Sequence, residues 1–382
     1  MFAARCIGTT TRGVVVIYFG RLGGWLRPHQ QVMLVADGNA IARIKQYDFG
    51  GVYQAGRSYS GPVVFVPDDC LLSEEAESLG IRGPCDLYGG VVPYPFVKTK
   101  SVTHPLVAAD AVQPNGWSHL FAEKVLDVVL PGFTAFSARD ARVAATRMLV
   151  RGTVRAKPPL GTGGRGQASI TTLDELDVFL ADLPARDIAT YGLVLEEHLN
   201  CVTTRSVGHI MMGRLTMTYH GTQRRTTDNE GRSVYGGSDL VCVRGGWEQL
   251  DQLALMGEVR DAVNRARVYD CATREYPGFF ASRRNYDVGQ GIDTQRQWRS
   301  GVFEASWRVG GATAAEVLAM MAFQQEPALH VVEVSHIEEF GRRRAAPEGA
   351  IVHFQGDDLQ DGPMIRYSIV RRLAYSARGF GG

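Results

Sequence analysis

A lysine and a cluster of glycines lie close together near the middle of the chain. A short run of alternating apolar residues leads to Lys157, and a loop with four glycines in six residues follows, with Arg165 inside it. The four glycines are Gly161, Gly163, Gly164 and Gly166. Such a loop lets the main chain approach a ligand closely, and its N–H groups can bind phosphate oxygens beside the two cations. No Gly-Lys-Ser/Thr sequence ends it, so it is not a P-loop. Phosphate binding and a mobile surface hairpin are both open interpretations.

Acidic residues end the next strand-like segment. Residues 191–199 are mostly apolar and contain the adjacent acids Glu196 and Glu197, followed by Leu199. Side chains and backbone groups at the end of a strand can hydrogen-bond a base or a ribose. A solvated strand end is the alternative for the two acids.

A second acidic pattern begins about ninety residues further on. Asp287 falls in one strand-like segment, and Glu304, Ser306 and Arg308 alternate along the next. Because residues two apart on a strand face the same side, these three should project into one cleft, which Asp287 could reach. Two carboxylates and a neutral oxygen suit Mg²⁺.

Two continuous apolar runs near the N-terminus indicate a domain that precedes the segments described above. Residues 14–19 and 63–67 are rich in valine and aromatic residues, which predicts strands buried on both faces of a parallel sheet. We expect a small α/β domain over residues 1–115.

Residues 88–104 lack periodicity and carry Lys98, Lys100 and His104, which would line a substrate site or form an exposed basic loop.

Composition restricts the class of protein. Lys+Arg 41 against Asp+Glu 40 gives a net charge of +1 in 382 residues, which offers no bulk attraction to nucleic acid or to an anionic membrane. The run at residues 13–20 is too short to span a membrane. The six cysteines show no metal-ligand spacing, so we expect free thiols and a cytoplasmic location.

The order of these features resembles that of the ATP-grasp superfamily. There, a lysine and a glycine loop hold phosphates from a mobile lid, and an acid-ended strand is the adenine hinge. An acid followed one strand later by Glu-x-Asn holds two magnesium ions. GVFEASWR resembles that last strand, with Ser306 where Asn is usual. Arg308 falls where biotin-carboxylase-like members place a substrate-binding arginine, and Gln223 where some members contact the nucleotide.

The resemblance covers roughly residues 115–355 and implies a fold and a set of roles. The implied class is α/β and α+β: an ATP-grasp fold with a pre-grasp domain (1–115), an N-lobe with the glycine-loop lid (116–200) and a C-lobe with the metal site (201–382). Implied nucleotide contacts are Lys157, Gly161, Gly163, Gly164, Arg165, Gly166, Glu196, Glu197, Leu199 and Gln223. Implied metal ligands are Asp287, Glu304 and Ser306, and implied catalytic residues are Arg308, Arg284 and Lys157.

Several longer phrases are similar to an uncharacterised proteobacterial ATP-grasp-like family with no assigned reaction. They include VVPYPFVKTKSVTHPL, KPPLGTGGRGQ, GLVLEEHL, SVYGGSDL, SRRNYDVGQG and GVFEASWRVGGATAAEVLA. This similarity concerns kinship and says nothing about the substrate.

The function that the resemblance implies is that of an enzyme, an ADP-forming MgATP-dependent ligase. ATP would phosphorylate a small carboxylate, and an amine or another nucleophile would then displace phosphate. The implied cofactors are ATP and Mg²⁺. A homodimer is allowed, because many superfamily members pair as dimers, and neither nucleic acid nor membrane is expected as a partner. The alternatives are an ATP-dependent phosphotransferase on the same fold and a catalytically inactive nucleotide-binding protein.

Overall fold

The computed structural model describes residues 12–20, 26–161, 166–255, 257–342 and 344–375. The described strands form four sheets, one parallel, two antiparallel and one small mixed sheet.

The N-terminal part is built around the parallel sheet. Its strands are β1 (Val14–Tyr18), β2 (Asp48–Val52) and β3 (Val63–Pro67), with β1 in the centre. Helix α1 (Pro28–Lys45) joins β1 to β2. Val15 and Ile17 lie in one apolar cluster with the helix, while Val16 lies in another cluster. Burial on both faces confirms the prediction for the first apolar run, and the second run is β3.

Short elements follow and lead into the irregular segment. They are β4 (Leu71–Leu72), α2 (Ser73–Ser78), β5 (Gly90–Val92), the 3₁₀ turns Pro95–Lys98, Lys100–Thr103 and Leu126–Val128, and α3 (His119–Val125). The side chains of Phe96, Val97 and Val102 are buried, and Phe96 packs edge-on against Phe136. These anchors fix the segment although its sequence has no period.

A four-stranded antiparallel sheet comes next. Its strands are β6 (Gly132–Ala135), β7 (Val154–Lys157), β8 (Ala168–Ile170) and β9 (Leu193–Glu197), in the order β6-β9-β7-β8. Its helices are α4 (Ala138–Leu149), α5 (Leu173–Ala181) and α6 (Ala185–Tyr191). Strands β7 and β8 pair and flank the glycine loop. The predicted site residues Gly163, Gly164 and Arg165 lie outside the described residues.

An eight-stranded antiparallel sheet forms the C-terminal part. The remaining strands are β10 (Asn200–Met212), β11 (Leu215–Thr227), β12 (Ser233–Arg244), β13 (Phe280–Ala281), β14 (Arg283–Ile292), β15 (Trp298–Ser306), β16 (Val331–Phe340), β17 (Ile351–Asp358) and β18 (Gly362–Ala374). All but β13, which pairs with β5, belong to this sheet, in the order β15-β14-β10-β11-β12-β16-β18-β17.

Helices cover both faces of the eight-stranded sheet. They are α7 (Trp247–Asp251), α8 (Gly257–Ala272), the 3₁₀ turn Thr273–Glu275 and α9 (Thr313–Gln325). Tyr269 of α8 shares a core with Tyr286 of β14, and Met320 of α9 shares the other core with Tyr219 of β11. Successive residues of β14 face different helices, since Arg283 pairs with Glu316 of α9 and Arg284 pairs with Asp270 of α8.

The α/β and α+β fold class predicted from the sequence is confirmed. The division at residues 115 and 200 stays a proposal. In the described part of the chain, no helix is both long and apolar enough to cross a membrane.

The expectation of free thiols does not hold for every described cysteine. Cys85 is disulfide-bonded, whereas Cys70, Cys201, Cys242 and Cys271 are free. Scattered positions in a sequence do not set the distances between thiols in a fold, and those distances decide pairing.

Candidate active site

The two predicted metal-binding acids are direct partners across a pair of strands. In the β14–β15 ladder Asp287 pairs with Glu304, so both side chains lie on one face of the sheet. Burial and the neighbouring Glu304 carboxylate raise the pKa of Asp287 to about 6. The turn between the strands is held by Asp293, whose carboxylate accepts N–H bonds from Gln295 and Gln297, both of 2.8 Å. Two carboxylates held side by side in this way form an anionic pair that a cation would relieve.

A β-bulge places an aromatic ring next to this pair. The register shifts between Asp287 and Val288, which leaves Phe303 without a partner in the ladder. The Phe303 ring lies over Gly289, where an added Cβ would be 1.9 Å from the ring. The ammonium of Lys157 lies 4.2 Å from the centroid of the same ring. Gly289 thus makes room for a ring that packs against the lysine.

Replacing Gly289 by alanine is expected to destabilise the protein by about 1–3 kcal/mol, because the new methyl group must displace Phe303. Thermal melting measures the loss. Gly83→Ala is the matched control, since an added Cβ there meets no atom within 4 Å. If the Gly289→Ala and Gly83→Ala proteins had the same melting temperature, the Phe303 ring would not be fixed over Gly289.

Two buried lysines lie beside the acidic pair. Lys157 ends β7, and its Nζ lies 2.5 Å from a carboxylate oxygen of Glu196. The Nζ of Lys100 lies 3.5 Å from Glu304 Oε2 and also donates to the carbonyl of Gly161. Burial lowers the pKa of Lys100, with the nearby Lys157 adding to the shift and Glu304 opposing it. Lys157 through the Phe303 ring and Lys100 through Glu304 therefore bring two buried ammonium groups to strand β15, where the two antiparallel sheets meet; we call this junction the cleft.

The role predicted for the Glu196 side chain needs correction. Its carboxylate is 1% exposed and is shared between Lys157 and the Nε2 of His104, at 2.5 and 3.1 Å. Burial alone would raise the pKa of Glu196, but Lys157 and His104 outweigh it, so the pKa is lowered. The carboxylate is the counter-charge of a buried lysine and is not free to contact an adenosine, because a buried ammonium requires a partner.

The other predicted nucleotide contacts lie around the same cleft. Glu197 is 3.4 Å from Arg299 of β15, and burial raises the pKa of its carboxyl. Leu199 is buried after the end of β9. Gln223 donates to the hydroxyl of Ser206 at 3.3 Å, and that hydroxyl donates to Asp287 at 3.2 Å. The side chain of Gln223 also hydrogen-bonds Asp287 itself, which opposes the rise in the pKa of that carboxyl.

The predicted catalytic role of Arg284 is not supported by its position. Its guanidinium pairs with Asp270 of α8 at 3.1 Å. Asp287 and Asn285 lie on the opposite face of β14, since their side chains hydrogen-bond to each other at 2.9 Å. Odd and even residues of a strand face opposite sides, and Arg284 is therefore turned away from the cleft. Arg283, its neighbour, faces the cleft side.

Ser306 lies on the cleft side, but its hydroxyl faces the guanidinium of Arg283. It pairs in the ladder with Asn285, and its Oγ accepts a bond of 3.4 Å from Arg283. Arg308 lies beyond the end of β15, where its Nε is 3.8 Å from Asp69 Oδ1. Lys98 Nζ reaches the other Asp69 oxygen at 2.7 Å. Arg308 and Lys98 therefore meet at the carboxyl end of the parallel sheet.

From the sequence, Lys100 and His104 could belong either to a substrate site or to an exposed loop. The sequence analysis did not identify Asn285 as a residue of the site. Lys100 is 6% exposed and His104 is fully buried, so an exposed loop is excluded for both. A signal existed for Asn285, because it stands two residues before Asp287 and must share its face.

A second group with metal-ligand chemistry lies elsewhere. The ligand atoms of His29, Asp358 and Asp361 lie within 4.8 Å of one another. Asp358 accepts backbone N–H bonds from Gln360 and Asp361 and one from His29, and Asp361 pairs with Arg27. These bonds already occupy the carboxylates and attach the β17–β18 turn to α1.

Comparison with solved structures found distant likenesses. The biotin carboxylase–β,γ-ATP complex of Campylobacter jejuni aligns at 10% identity over 94% of this chain and 87% of that chain, with a TM-score of 0.47. D-alanyl-alanine synthetase A of Vibrio cholerae aligns at 12% identity over 82% and 97%, with a TM-score of 0.48. Carboxyaminoimidazole ribonucleotide synthase of Aspergillus clavatus, complexed with ATP, aligns at 10% identity over 97% and 95%, with a TM-score of 0.49.

A search of the curated proteins found no match. A family profile described as "Protein of unknown function (DUF3182)" matches residues 25–368, which is most of the chain. The chain belongs to the DUF3182 family.

Proposed function

We propose that this chain is an ATP-grasp enzyme, an ADP-forming ligase that uses MgATP to join a carboxylate to an amine or another nucleophile. One observation carries the proposal. Two buried lysines lie beside the ladder pair of Asp287 and Glu304: Lys100 is 3.5 Å from Glu304, and Lys157 packs on the ring of the preceding residue, Phe303. A polyanion that arrives with a divalent cation would satisfy both pairs at once, because phosphates neutralise the lysines and the cation neutralises the acids.

The lysines would bind and orient the phosphates. Lys100 and Lys157 come from different segments, and both are nearly inaccessible to water, which strengthens their interaction with an anion. Glu196, which His104 hydrogen-bonds, pairs with Lys157, so the ammonium would reach the ligand already oriented. Gly161 and Gly166 flank the loop that would cover the phosphates.

The donor set fits magnesium. Asp287 and Glu304 are hard oxygen ligands on one face, and the neutral hydroxyl of Ser206 lies 3.2 Å from Asp287. The bound ion would neutralise charge on the phosphoryl group during transfer. The chain's own part is to hold the two carboxylates in register, which the β14–β15 ladder does.

The carboxylate substrate would bind beside Arg308. The guanidinium of Arg308 and the ammonium of Lys98 approach the same acid, Asp69, at the rim of the cleft. An incoming carboxylate could replace Asp69 as their partner. Its oxygen would attack the terminal phosphorus with departure of ADP, and the nucleophile would then attack the acyl carbon with departure of phosphate.

A thermal-shift titration tests the proposal. MgATP at about one hundred times its Kd should add roughly 2.7 kcal/mol to the stability of the wild type, a rise of a few degrees. Glu304→Gln should lose most of that rise, because it removes one of two ligand charges. Glu339→Gln on β16 of the same sheet is the control and should keep it. No rise in the wild type, or an equal rise in both variants, would overturn the assignment.

Product analysis then separates the reaction classes. A ligase needs an acid and a nucleophile together and releases both ADP and inorganic phosphate. Release of ADP alone with a phosphorylated acid would identify a phosphotransferase.

A further inference from the structure

A buried network of hydrogen bonds leads from α9 to the proposed metal site. Glu316 of α9 accepts two bonds from Arg283, of 2.9 and 2.7 Å, and one from Tyr88 of 2.8 Å. The hydroxyl of Tyr219 lies 2.5 Å from Glu316 Oε1 and 2.8 Å from Asn285 Oδ1. The Nδ2 of Asn285 donates to Asp287.

One contact in this network cannot be satisfied as it stands. The Tyr219 hydroxyl carries a single proton, but it faces two acceptors, the carboxylate of Glu316 and the amide oxygen of Asn285. The shorter contact is to the charged acceptor, and charge-assisted bonds are the stronger ones, so the proton belongs to Glu316. The hydroxyl oxygen then faces the oxygen of Asn285 with no hydrogen between them.

A half-turn of the Asn285 amide removes that conflict. Nδ2 then donates to the hydroxyl oxygen of Tyr219, which is free to accept. The amide oxygen then faces Asp287 Oδ1, which lies 2.9 Å from the atom it replaces. Two oxygens at such a distance repel each other unless a cation or a proton lies between them.

Resting on the proposed function, we infer that Asn285 is a ligand of the divalent cation bound by Asp287 and Glu304. Its amide turns over when the cation binds, and Tyr219 and Glu316 hold it in the turned orientation. Ser306, which the sequence suggested as the neutral ligand, is the poorer candidate because its hydroxyl faces the Arg283 guanidinium. Asn285 is the ladder partner of Ser306 and thus supplies a neutral oxygen from the opposite strand.

Mn²⁺ binding in the presence of ADP tests this inference without any turnover. Mn²⁺ accepts the same oxygen ligands and is observed directly by electron paramagnetic resonance. Line broadening in ¹⁷O-enriched water counts the water molecules on the bound ion. A water takes the place of each protein ligand that is lost, whereas loss of a merely supporting residue leaves the number unchanged.

The variants should then differ in their affinity for Mn²⁺ and in the number of water molecules on the bound ion. Asn285→Ala should weaken Mn²⁺ binding about tenfold or more and add one bound water. Tyr219→Phe should weaken binding with no added water, because Tyr219 is a positioning residue. Ser306→Ala, the variant of the competing candidate on the same face, should change neither quantity. Asn285→Asp keeps the volume and an oxygen, so it should fold, bind at least as tightly and leave the water number unchanged.

An unchanged water number in Asn285→Ala would overturn the ligand role while leaving the metal site in place. An added water in Ser306→Ala with none in Asn285→Ala would give the role to Ser306. Should Asn285→Ala fail to fold, an added water in Asn285→Asp would overturn it equally. A wild type that binds no Mn²⁺ overturns the inference together with the metal site, and the MgATP titration reports separately whether the nucleotide binds.

Discussion

Lys157→Met is expected to weaken MgATP binding about 100-fold or more, which corresponds to about 2.7 kcal/mol. Two effects add in the same direction. The variant removes the ammonium of a lysine that is 4% exposed, and it leaves the Glu196 carboxylate buried with the Nε2 of His104 as its remaining side-chain hydrogen-bond partner among the described residues. That carboxylate would then repel the incoming phosphates. Calorimetric titration with MgATP measures the change.

A second variant separates ligand binding from folding. Because it strands a buried carboxylate, Lys157→Met should also lose roughly 3–5 kcal/mol of stability. Lys157→Met combined with Glu196→Gln should recover part of that stability, because no unpaired charge remains, but it should not recover MgATP affinity. The control is Lys124→Met, since Lys124 is a half-exposed lysine that pairs with Glu275 on the protein surface. If the double variant regained full affinity, Lys157 would act only by neutralising Glu196.

The sequence was informative about site residues that alternate along a single strand. The alternation of Glu304 and Ser306 placed them on one face, and the structure has them there, with Asp287 and Asn285 as their ladder partners. The register of that ladder depends on the turn held by Asp293 and on the bulge at Phe303, and neither leaves a periodic signal.

The sequence failed where tertiary contacts decide the outcome. Arg283 and Arg284 are adjacent and chemically identical, and only the faces of β14 separate the one beside the cleft from the one that pairs with Asp270. Lys100 lies in a segment of 3₁₀ turns that buried aromatic residues fix in space. No local pattern shows that such a lysine reaches Glu304.

Arg283→Met is expected to destabilise the protein by about 3–5 kcal/mol, because it leaves the carboxylate of Glu316 buried without its cation. Both side chains are at most 1% exposed, and two hydrogen bonds join them. The same guanidinium donates to the carbonyls of Ser306 and Arg308. Urea titration followed by fluorescence measures the loss. The exposed pair Arg142–Asp177 is the control, where Arg142→Met should change stability by less than about 1 kcal/mol.

A double-mutant cycle assigns the loss to the pair. Glu316→Gln removes the stranded charge and keeps an acceptor for one of the two tyrosine hydroxyls, those of Tyr88 and Tyr219, so Arg283→Met with Glu316→Gln should be more stable than Arg283→Met alone. It should remain less stable than the wild type, because the carbonyls of Ser306 and Arg308 still lack their donor. Strictly additive losses would mean that the two groups do not interact, and that the end of β15 is fixed by packing alone. The expected coupling would mean that the buried pair of Arg283 and Glu316 fixes the positions of β14 and β15. Those two strands carry the acids Asp287 and Glu304.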